Sequence, residues 1–477
     1  MKLLGRGPEL KRLRDLFNQD RASFVVLTGR RRIGKSSLIE YFAKQDYQFI
    51  KVQGLAPGKN VTPTSQLEAF SEQLGQTTKS PLLKFNNWTE VFNTLDKMIK
   101  KKKTVILLDE ISWMAKDSPD FAGKLKIAWD DLFKNRPNLM LVVCGSVSSW
   151  IEENILRKTD FVGRISMHLH LQELPLSSVG GFWGKYETTV SDFEKIKFLI
   201  VSGGVPRYLE ELNPSLPAGL NIAKLCFTTG GFFVEEFDKI FNETFERRAI
   251  IYRTILEQLT EKKLTYSEIC KKLRLPKGGN MSNYLDDLEL SGFIACDAIY
   301  SPVGKQSKSS LYRISDNYIR FYLKYIRPNL DKIKKNIFSK VSIENQSNWS
   351  IIQGLQFENL VLANLPLIIE SLSLSSEEIT SFSPYFQKKT ARTKGACQID
   401  LMITSRFGTV YVCEIKMRKV IGPEVIKEVQ QKIKVLARPK NISVRPVLIY
   451  AGHLEEEVVQ SQFFSQIISV ADWMRPL

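Results

Sequence analysis

Ser23-Phe24-Val25-Val26-Leu27-Thr28-Gly29-Arg30-Arg31-Arg32-Ile33-Gly34-Lys35-Ser36-Ser37 is the stretch that decides the fold. Ser23 to Leu27 is an apolar run of strand length, and Ser37 to Lys44 has helical spacing. Between them, Gly29 to Ser36 matches G-x-x-x-x-G-K-[ST] at every fixed position, in the strand-to-helix context that such a loop requires. Gly29 and Gly34 let the backbone N–H groups across Arg30, Arg31, Arg32 and Ile33 turn inward around phosphate oxygens, where a side chain would block the approach. Lys35 supplies a positive charge to the outer phosphates, the Ser36 hydroxyl is a Mg²⁺ ligand, and the helix start at Ser37 adds its partial positive charge. The pattern predicts an α/β domain that binds ATP or ADP.

A second strand sharpens this. Thr104 to Leu108 is a continuous apolar run, as a parallel sheet covered on both faces requires, and it ends in Asp109-Glu110. Asp109 is placed to hold Mg²⁺, and Glu110 to orient and deprotonate the attacking water. A third strand, Leu139 to Cys144, ends in Gly145-Ser146, which makes Ser146 a candidate sensor of the terminal phosphate.

These residues resemble an AAA+-like ATPase, and more narrowly the archaeal ATPase group near the STAND signalling NTPases. The supporting pieces are Gly5-Arg6-Gly7-Pro8-Glu9-Leu10, the Arg-rich loop, Gly163-Arg164, and Gly203-Gly204-Val205-Pro206-Arg207-Tyr208-Leu209. The resemblance implies that Gly5 and Arg6 pack near the adenine. It also implies that Arg207 reads the nucleotide from a helical lid, and that Arg164 reaches a phosphate in cis or from a neighbour in a homo-oligomer; the alternative for both arginines is a surface salt bridge.

The 477 residues carry 68 Lys+Arg against 51 Asp+Glu, a net charge of +17. That surplus favours a polyanionic partner, nucleic acid first. With 43% hydrophobic and 25% charged residues the chain is neither disordered nor collagen-like. Six scattered cysteines without a C-x-x-C pair, and three histidines, argue against a zinc site and for thiols in a reducing compartment. Met1 to Arg6 turns charged too soon for a signal peptide, and the apolar stretch Leu360 to Leu374 is broken by Asn364, Pro366 and Glu370. The expectation is a cytoplasmic protein with no membrane partner.

From Phe245 the pattern turns helical. Arg247 to Leu256 has helical spacing, Thr265-Tyr266-Ser267-Glu268 is a capping box, Met281 to Ser291 gives a third helix ended by Gly292, and Ile294 to Ile314 reads as a hairpin around Gly304-Lys305. This order resembles a winged helix-turn-helix. Its third helix carries Asp286, Asp287 and Glu289 without a Lys or Arg, so base readout is disfavoured and positive charge falls instead on Lys271, Lys272, Arg274, Lys277, Lys305 and Lys308. The module is expected either to touch DNA through phosphates alone, largely independent of sequence, or to pack on the ATPase and transmit its state.

Beyond a Lys-rich connector, Phe357-Glu358-Asn359-Leu360-Val361 opens a helix. Gln398 to Ile403 alternates as a strand, Ser405-Arg406-Phe407-Gly408 turns, and Thr409 to Lys416 returns. The period of two puts Glu414 and Lys416 on one face, and the hairpin brings Asp400 beside Glu414. Between Lys388 and Lys419 these two acids stand alone among eight basic residues, Arg392 and Lys394 included. The arrangement resembles a PD-(D/E)XK nuclease, with Ile399 where that motif carries proline. The resemblance implies that Glu358, Asp400 and Glu414 hold Mg²⁺ or Mn²⁺, that Lys416 positions the attacking water, and that Gln430 or Gln431 is an accessory residue.

Across essentially the whole chain the sequence resembles the DUF234-type archaeal and bacterial ATPases. The expected architecture is a P-loop core over 1–175, a helical lid over 176–244, a winged helix over 245–328, a basic connector over 329–345, and a restriction-endonuclease-like α/β domain over 346–477. The expected function is a DNA-acting ATPase with a nucleotide-gated nuclease site. The alternative is a nucleotide-dependent switch whose last domain only binds DNA or a protein.

Overall fold

The structure is a computed structural model, and it describes residues 3–44, 47–58, 60–79, 81–145, 148–245, 248–338, 341–389, 393 and 395–475. The chain forms two compact units: Met1–Gln172 with Ile240–Arg247 and Asp286–Gly292, and Glu173–Lys239 with Arg248–Leu285 and Phe293–Leu477.

The first unit is built on five parallel strands, β1 (Ser23–Thr28), β2 (Gln48–Gln53), β3 (Thr104–Asp109), β4 (Leu139–Cys144) and β5 (Met167–His170), in the order β2-β3-β4-β1-β5. Each residue of β1, β3 and β4 is buried, because helices cover both faces. The side chains divide by parity. Val25, Leu27, Val105 and Leu107 pack with Leu13 and Phe17 of α1 (Gly7–Phe17) and with Leu38 and Phe42 of α2 (Lys35–Ala43). Phe24, Val26, Ile106 and Leu108 meet a second core with Phe70 of α3 (Pro63–Thr78), Phe92 of α4 (Trp88–Met98) and Phe121 and Trp129 of α5 (Phe121–Asp131). Because β4 lies between β1 and β3, the loop after β1 and the acids after β3 open at the same sheet end, one strand apart. The helix after the loop begins at Lys35, two residues before the expected Ser37, since left-handed Gly34 ends the turn there.

In the second unit, α6 (Asp192–Ser202), α7 (Ala218–Phe227) and α8 (Phe232–Phe245, its last turn in the first unit) come first. They are followed by α9 (Ala249–Leu259), β6 (Leu264–Thr265), α10 (Tyr266–Leu273), α11 (Gly279–Leu290, whose residues from Asp286 on fall in the first unit) and the hairpin β7 (Ile294–Tyr300) and β8 (Gln306–Ile314), paired as β6-β8-β7. The capping box is present, with Thr265 accepting from the Glu268 N–H, and Gly292 and Gly304 take the positive φ that ends the helix and turns the hairpin.

The connector is not a loose tether. It contains α12 (Leu330–Lys334), whose Ile333 is buried and accepts from Thr229, and Phe338 packs its ring on Phe227. Aromatic contacts run on through Tyr208, Phe233 and Tyr318, and through Phe321 to Trp349. One core thus joins what the sequence divides at 244, 328 and 345.

The last segment has α13 (Trp349–Leu362), α14 (Leu365–Ser371), and a sheet of β9 (Ile379–Gln387), β10 (Cys397–Ser405), β11 (Thr409–Ile421), β12 (Ser443–Leu454) and β13 (Gln466–Ser469), in the order β13-β12-β11-β10-β9. Strands β9 to β11 are antiparallel, β11 to β13 parallel, and α15 (Glu424–Val435) returns the chain across the sheet. Among the described residues no single helix is long and apolar enough to cross a membrane; α13 and α14 pass together but are bent by 73°.

Candidate functional site

The glycines of the first loop have the geometry that the sequence requires of them. Gly29 has φ +141°, and a Cβ there would fall 2.5 Å from the Leu171 carbonyl oxygen. Gly34 has φ +87°. Lys35 is buried and donates to the carbonyls of Gly29 at 2.8 Å and Arg30 at 3.1 Å, which folds the loop around its ammonium. Burial pushes that ammonium's pKa down, while Glu110 and Asp109 pull it back up.

At the end of β3, Asp109 accepts from the Ser36 hydroxyl at 2.6 Å through one oxygen. Its other oxygen accepts from the Cys144 thiol at 2.7 Å and the Glu110 N–H at 3.1 Å. Lys51, on β2, bonds Glu40 at 2.7 Å and stands 3.7 Å from Asp109. Glu110 is 8% exposed and left-handed at φ 51°, a conformation that costs a non-glycine residue energy and turns its carboxylate toward the end of β4. Gly54 allows this turn, because a Cβ there would lie 2.8 Å from the Glu110 carbonyl oxygen. The donor set of hydroxyl and carboxylate is all oxygen and fits a hard cation.

Three expected contacts take other forms. Arg6 is buried and donates to the carbonyls of Ile33 at 3.2 Å and Gln172 at 2.7 Å, so it braces the phosphate loop rather than facing a base; Gly5 precedes it with φ 67°. Arg164 makes a two-pronged bond to Asp130, at 2.7 and 2.8 Å, and holds that carboxyl down at about 2. Arg207, in the second unit, pairs with Glu210 at 3.3 Å and Glu211 at 2.5 Å and lies over the Phe232 ring. Arg207 finds its acids three and four positions further along the chain, whereas Arg164 reaches one 34 positions away, which sequence spacing does not show. Arg31 lies over the Trp113 ring. Ser146 lies outside the described residues, as do Arg247, Arg392 and Lys394.

A second acid centre sits in the C-terminal sheet. The β10–β11 register pairs Leu401 with Cys413, so Asp400 and Glu414 are next across the ladder. Asp400 is buried and accepts from the Ile415 N–H at 2.9 Å. Glu414, 1% exposed, is closed between Lys432 at 2.6 Å and Lys416 at 2.9 Å. Lys416 also bonds Glu428 at 2.7 Å. Burial, and then the charge of Glu358, pushes the Asp400 carboxyl up; burial, and then Asp400, does the same to Glu414. Burial works against the ammonium of Lys432, but Asp400 and Glu414 outweigh it and raise its pKa.

Two expectations change here. Glu358 is held by Lys263 at 2.8 Å, and among the described residues no three His, Cys, Asp or Glu side chains converge on a metal-sized site. The residue that α15 supplies is Lys432, not Gln430 or Gln431, which are exposed. Val425, Val429 and Lys432 fall at i, i+4 and i+7 on the inward face, so helical phase carried the signal. The carboxylates of Asp400 and Glu414 still fit Mg²⁺, which is commonly held by one or two carboxylates with substrate phosphates completing its shell.

An ATPase domain predominantly from Archaea matches over residues 3–212. An uncharacterized protein of Methanocaldococcus jannaschii is 26% identical over 357 residues, 74% of this chain and 75% of that one. Among solved structures, the Walker-type ATPase PABY2304 of Pyrococcus abyssi aligns with a TM-score of 0.48 at 16% identity, covering 67% of this chain and 96% of its own. The ORC2 protein of Aeropyrum pernix, in ADPNP–ADP complexes, aligns with a TM-score of 0.42 at 14% identity, covering 70% and 95%. Residues 3–212 are an archaeal-type P-loop ATPase domain.

Proposed function

We propose that the chain hydrolyses ATP with Mg²⁺ in its first unit, and that nucleotide state governs a phosphodiester-cleaving site for DNA in its second. The 2.6 Å bond between Ser36 and Asp109, with Glu110 buried beside it, is the observation that carries the first half. In this reading Lys35 exchanges its carbonyl partners for phosphate oxygens, the loop N–H groups orient the phosphates, and Glu110 takes the proton of the attacking water. Ser36 and Asp109 would hold Mg²⁺, which offsets charge on the phosphates.

The second half rests on Asp400, Glu414 and Lys416 meeting on one hairpin. Asp400 and Glu414 would hold the divalent cation, and Lys416 would orient water at the scissile phosphate, with Lys432 beside it. The basic field around these acids supports a polyanionic substrate, and the acids of α11 support sequence-blind contact through a winged-helix module. A cytoplasmic, DNA-associated protein that can assemble with its own copies follows from the same reading.

One observation favours a second reading, a nucleotide-dependent switch that binds DNA or a protein without cleaving. Two lysines already neutralise Glu414. Labelled single-stranded, duplex and branched DNA, incubated with the full chain with and without ATP and with Mg²⁺ or Mn²⁺, separates the two. Cleavage that disappears in Asp400→Ala while ATP turnover persists supports the nuclease; DNA binding without cleavage under every condition leaves the switch.

A further inference from the structure

A cleft of about 1100 Å³ opens in the second unit beside β11, immediately beyond Lys416. Its floor is apolar and largely buried, formed by Ile222 of α7, Ile343, Trp349 of α13 and Met417. Its rim carries basic side chains: Lys197 of α6, 3.9 Å from Glu194; Arg418, bonded to Glu424 at 2.9 Å; and Lys419, with His453 and the acid Glu344 also in the lining. Phe193 lies on the same side, with the Lys197 ammonium over its ring, and Ile351 is 53% exposed at the mouth.

The wall of this cleft is specially shaped. The pairing of β11 with β12 slips between Met417 and Val420, a bulge that re-aims the side chains carried there. Gly452 accommodates the slip at φ +128°, since a Cβ would fall 1.8 Å from the Arg418 carbonyl oxygen. Lys419, exposed on the bulge, has no ion-pair partner among the described residues. Strand β11 therefore runs from the acid centre at Glu414 and Lys416 straight into an aromatic and apolar floor edged with positive charge.

We infer that this cleft seats a single-stranded stretch of polynucleotide, with bases on the apolar floor and phosphates along the cationic rim. A flat, unpaired base presents an apolar face that a duplex keeps inside its stack, so the floor selects single strands. The rim supplies the backbone charge without reading sequence. A neutral apolar ligand leaves the rim unused, and an inorganic anion leaves the floor unused. The inference rests on the DNA reading above for the polymer, and it is independent of whether Asp400 and Glu414 cleave.

The test uses the full chain with fluorescein-labelled dT20, rU20 and a 20-base-pair duplex, followed by anisotropy. Lys419→Glu with Lys197→Glu reverses two rim charges, and Ile351→Asp spoils the mouth at an exposed position that folding tolerates. Each should weaken single-strand binding about tenfold or more, change duplex binding less than twofold, and leave ATP turnover at the wild-type rate. Single-strand affinity that is unchanged in both variants, or that falls no more than duplex affinity, overturns the inference, as does displacement of dT20 by an acidic apolar peptide but not by excess dT20. A preference for rU20 over dT20 identifies the sugar and retains the cleft. If Asp400→Ala binds dT20 as wild type does and no variant cleaves, the nuclease reading fails and the cleft stands. If the rim variants bind and cleave like wild type, the cleft fails and the nuclease reading stands.

Discussion

The two acid centres of this chain differ in what meets the carboxylate. Asp109 is approached by a hydroxyl, a thiol and a backbone N–H, with the Lys51 ammonium, itself bonded to Glu40, standing off at 3.7 Å. Glu414 is closed between two ammonium groups. A dication arriving at Asp109 would displace hydrogen bonds to neutral groups and meet one ammonium at 3.7 Å, whereas at Glu414 it would compete with two cations in direct contact. The first centre is the more open of the two, and in the second Lys416 and Lys432 cover the Glu414 carboxylate. Acid pairs that look alike in sequence thus carry different charge balances in the fold.

The largest effects should come from the open centre. Lys35→Ala should cost at least about a hundredfold in ATP affinity. Glu110→Gln should retain binding and lose about 10²–10⁴ in kcat, read with a fluorescent ATP analogue and a phosphate-release assay. Normal turnover in Glu110→Gln would remove that residue from its role and leave the open centre without a base.

The closed centre should reveal itself in stability. Glu414→Ala leaves two ammonium groups facing each other, and should cost about 1–3 kcal/mol in urea unfolding, their partial exposure softening the loss. Asp109→Ala, which removes the acceptor of neutral donors, should cost about 1 kcal/mol. Equal losses would break the contrast. Lys432→Met removes one competing cation, and on an Asp109→Ala background it should raise Mn²⁺ affinity about threefold to tenfold in a spin-resonance titration.

The pH response sharpens the contrast further. Asp400 and Glu414 ionise at higher pH in the folded chain than in the unfolded one, so the folded state holds more protons just above the ordinary carboxylate range. Stability from this pair therefore declines as the pH rises through that interval. Asp400→Asn should flatten the decline, and an unchanged slope in the urea midpoint would remove Asp400 as its source. Asp130 works in the other sense: its contribution is present above the usual aspartate pKa and is lost as the pH falls toward about 2. The smallest effect belongs to its partner. Arg164→Ala should barely lower the urea midpoint and leave ATP turnover unchanged. A tenfold loss of turnover would return Arg164 to the phosphates.

Much of this was legible where chemistry and chain order coincide. The loop, its strand and the acid pair of β3 follow from runs of consecutive residues, and the pairing of Asp400 with Glu414 follows from a hairpin whose turn is local. What escaped was set by packing between distant segments. Lys263 reaches Glu358 from 95 positions away, and Asp130 takes Arg164 from 34 positions away. The connector reads as a loose basic linker because its lysines dominate the sequence, whereas Ile333 and Phe338 fix it to the core. Lys432 is hidden for a narrower reason: on α15 the polar glutamines at 430 and 431 adjoin it in sequence, but the phase set by Val425 and Val429 points them outward.

Arg6 has a further consequence, for the order in which the molecule comes apart. Its guanidinium ties the carbonyl of Ile33, inside the phosphate loop, to that of Gln172, the last residue of the first stretch of the ATPase unit. A fluctuation that frees either carbonyl weakens the hold on the other, so the two segments should open as one cooperative piece. Amide hydrogens around Gly34 and around Gln172 should then exchange with solvent at matched rates. Arg6→Ala should uncouple those rates, turning one late event into two earlier ones.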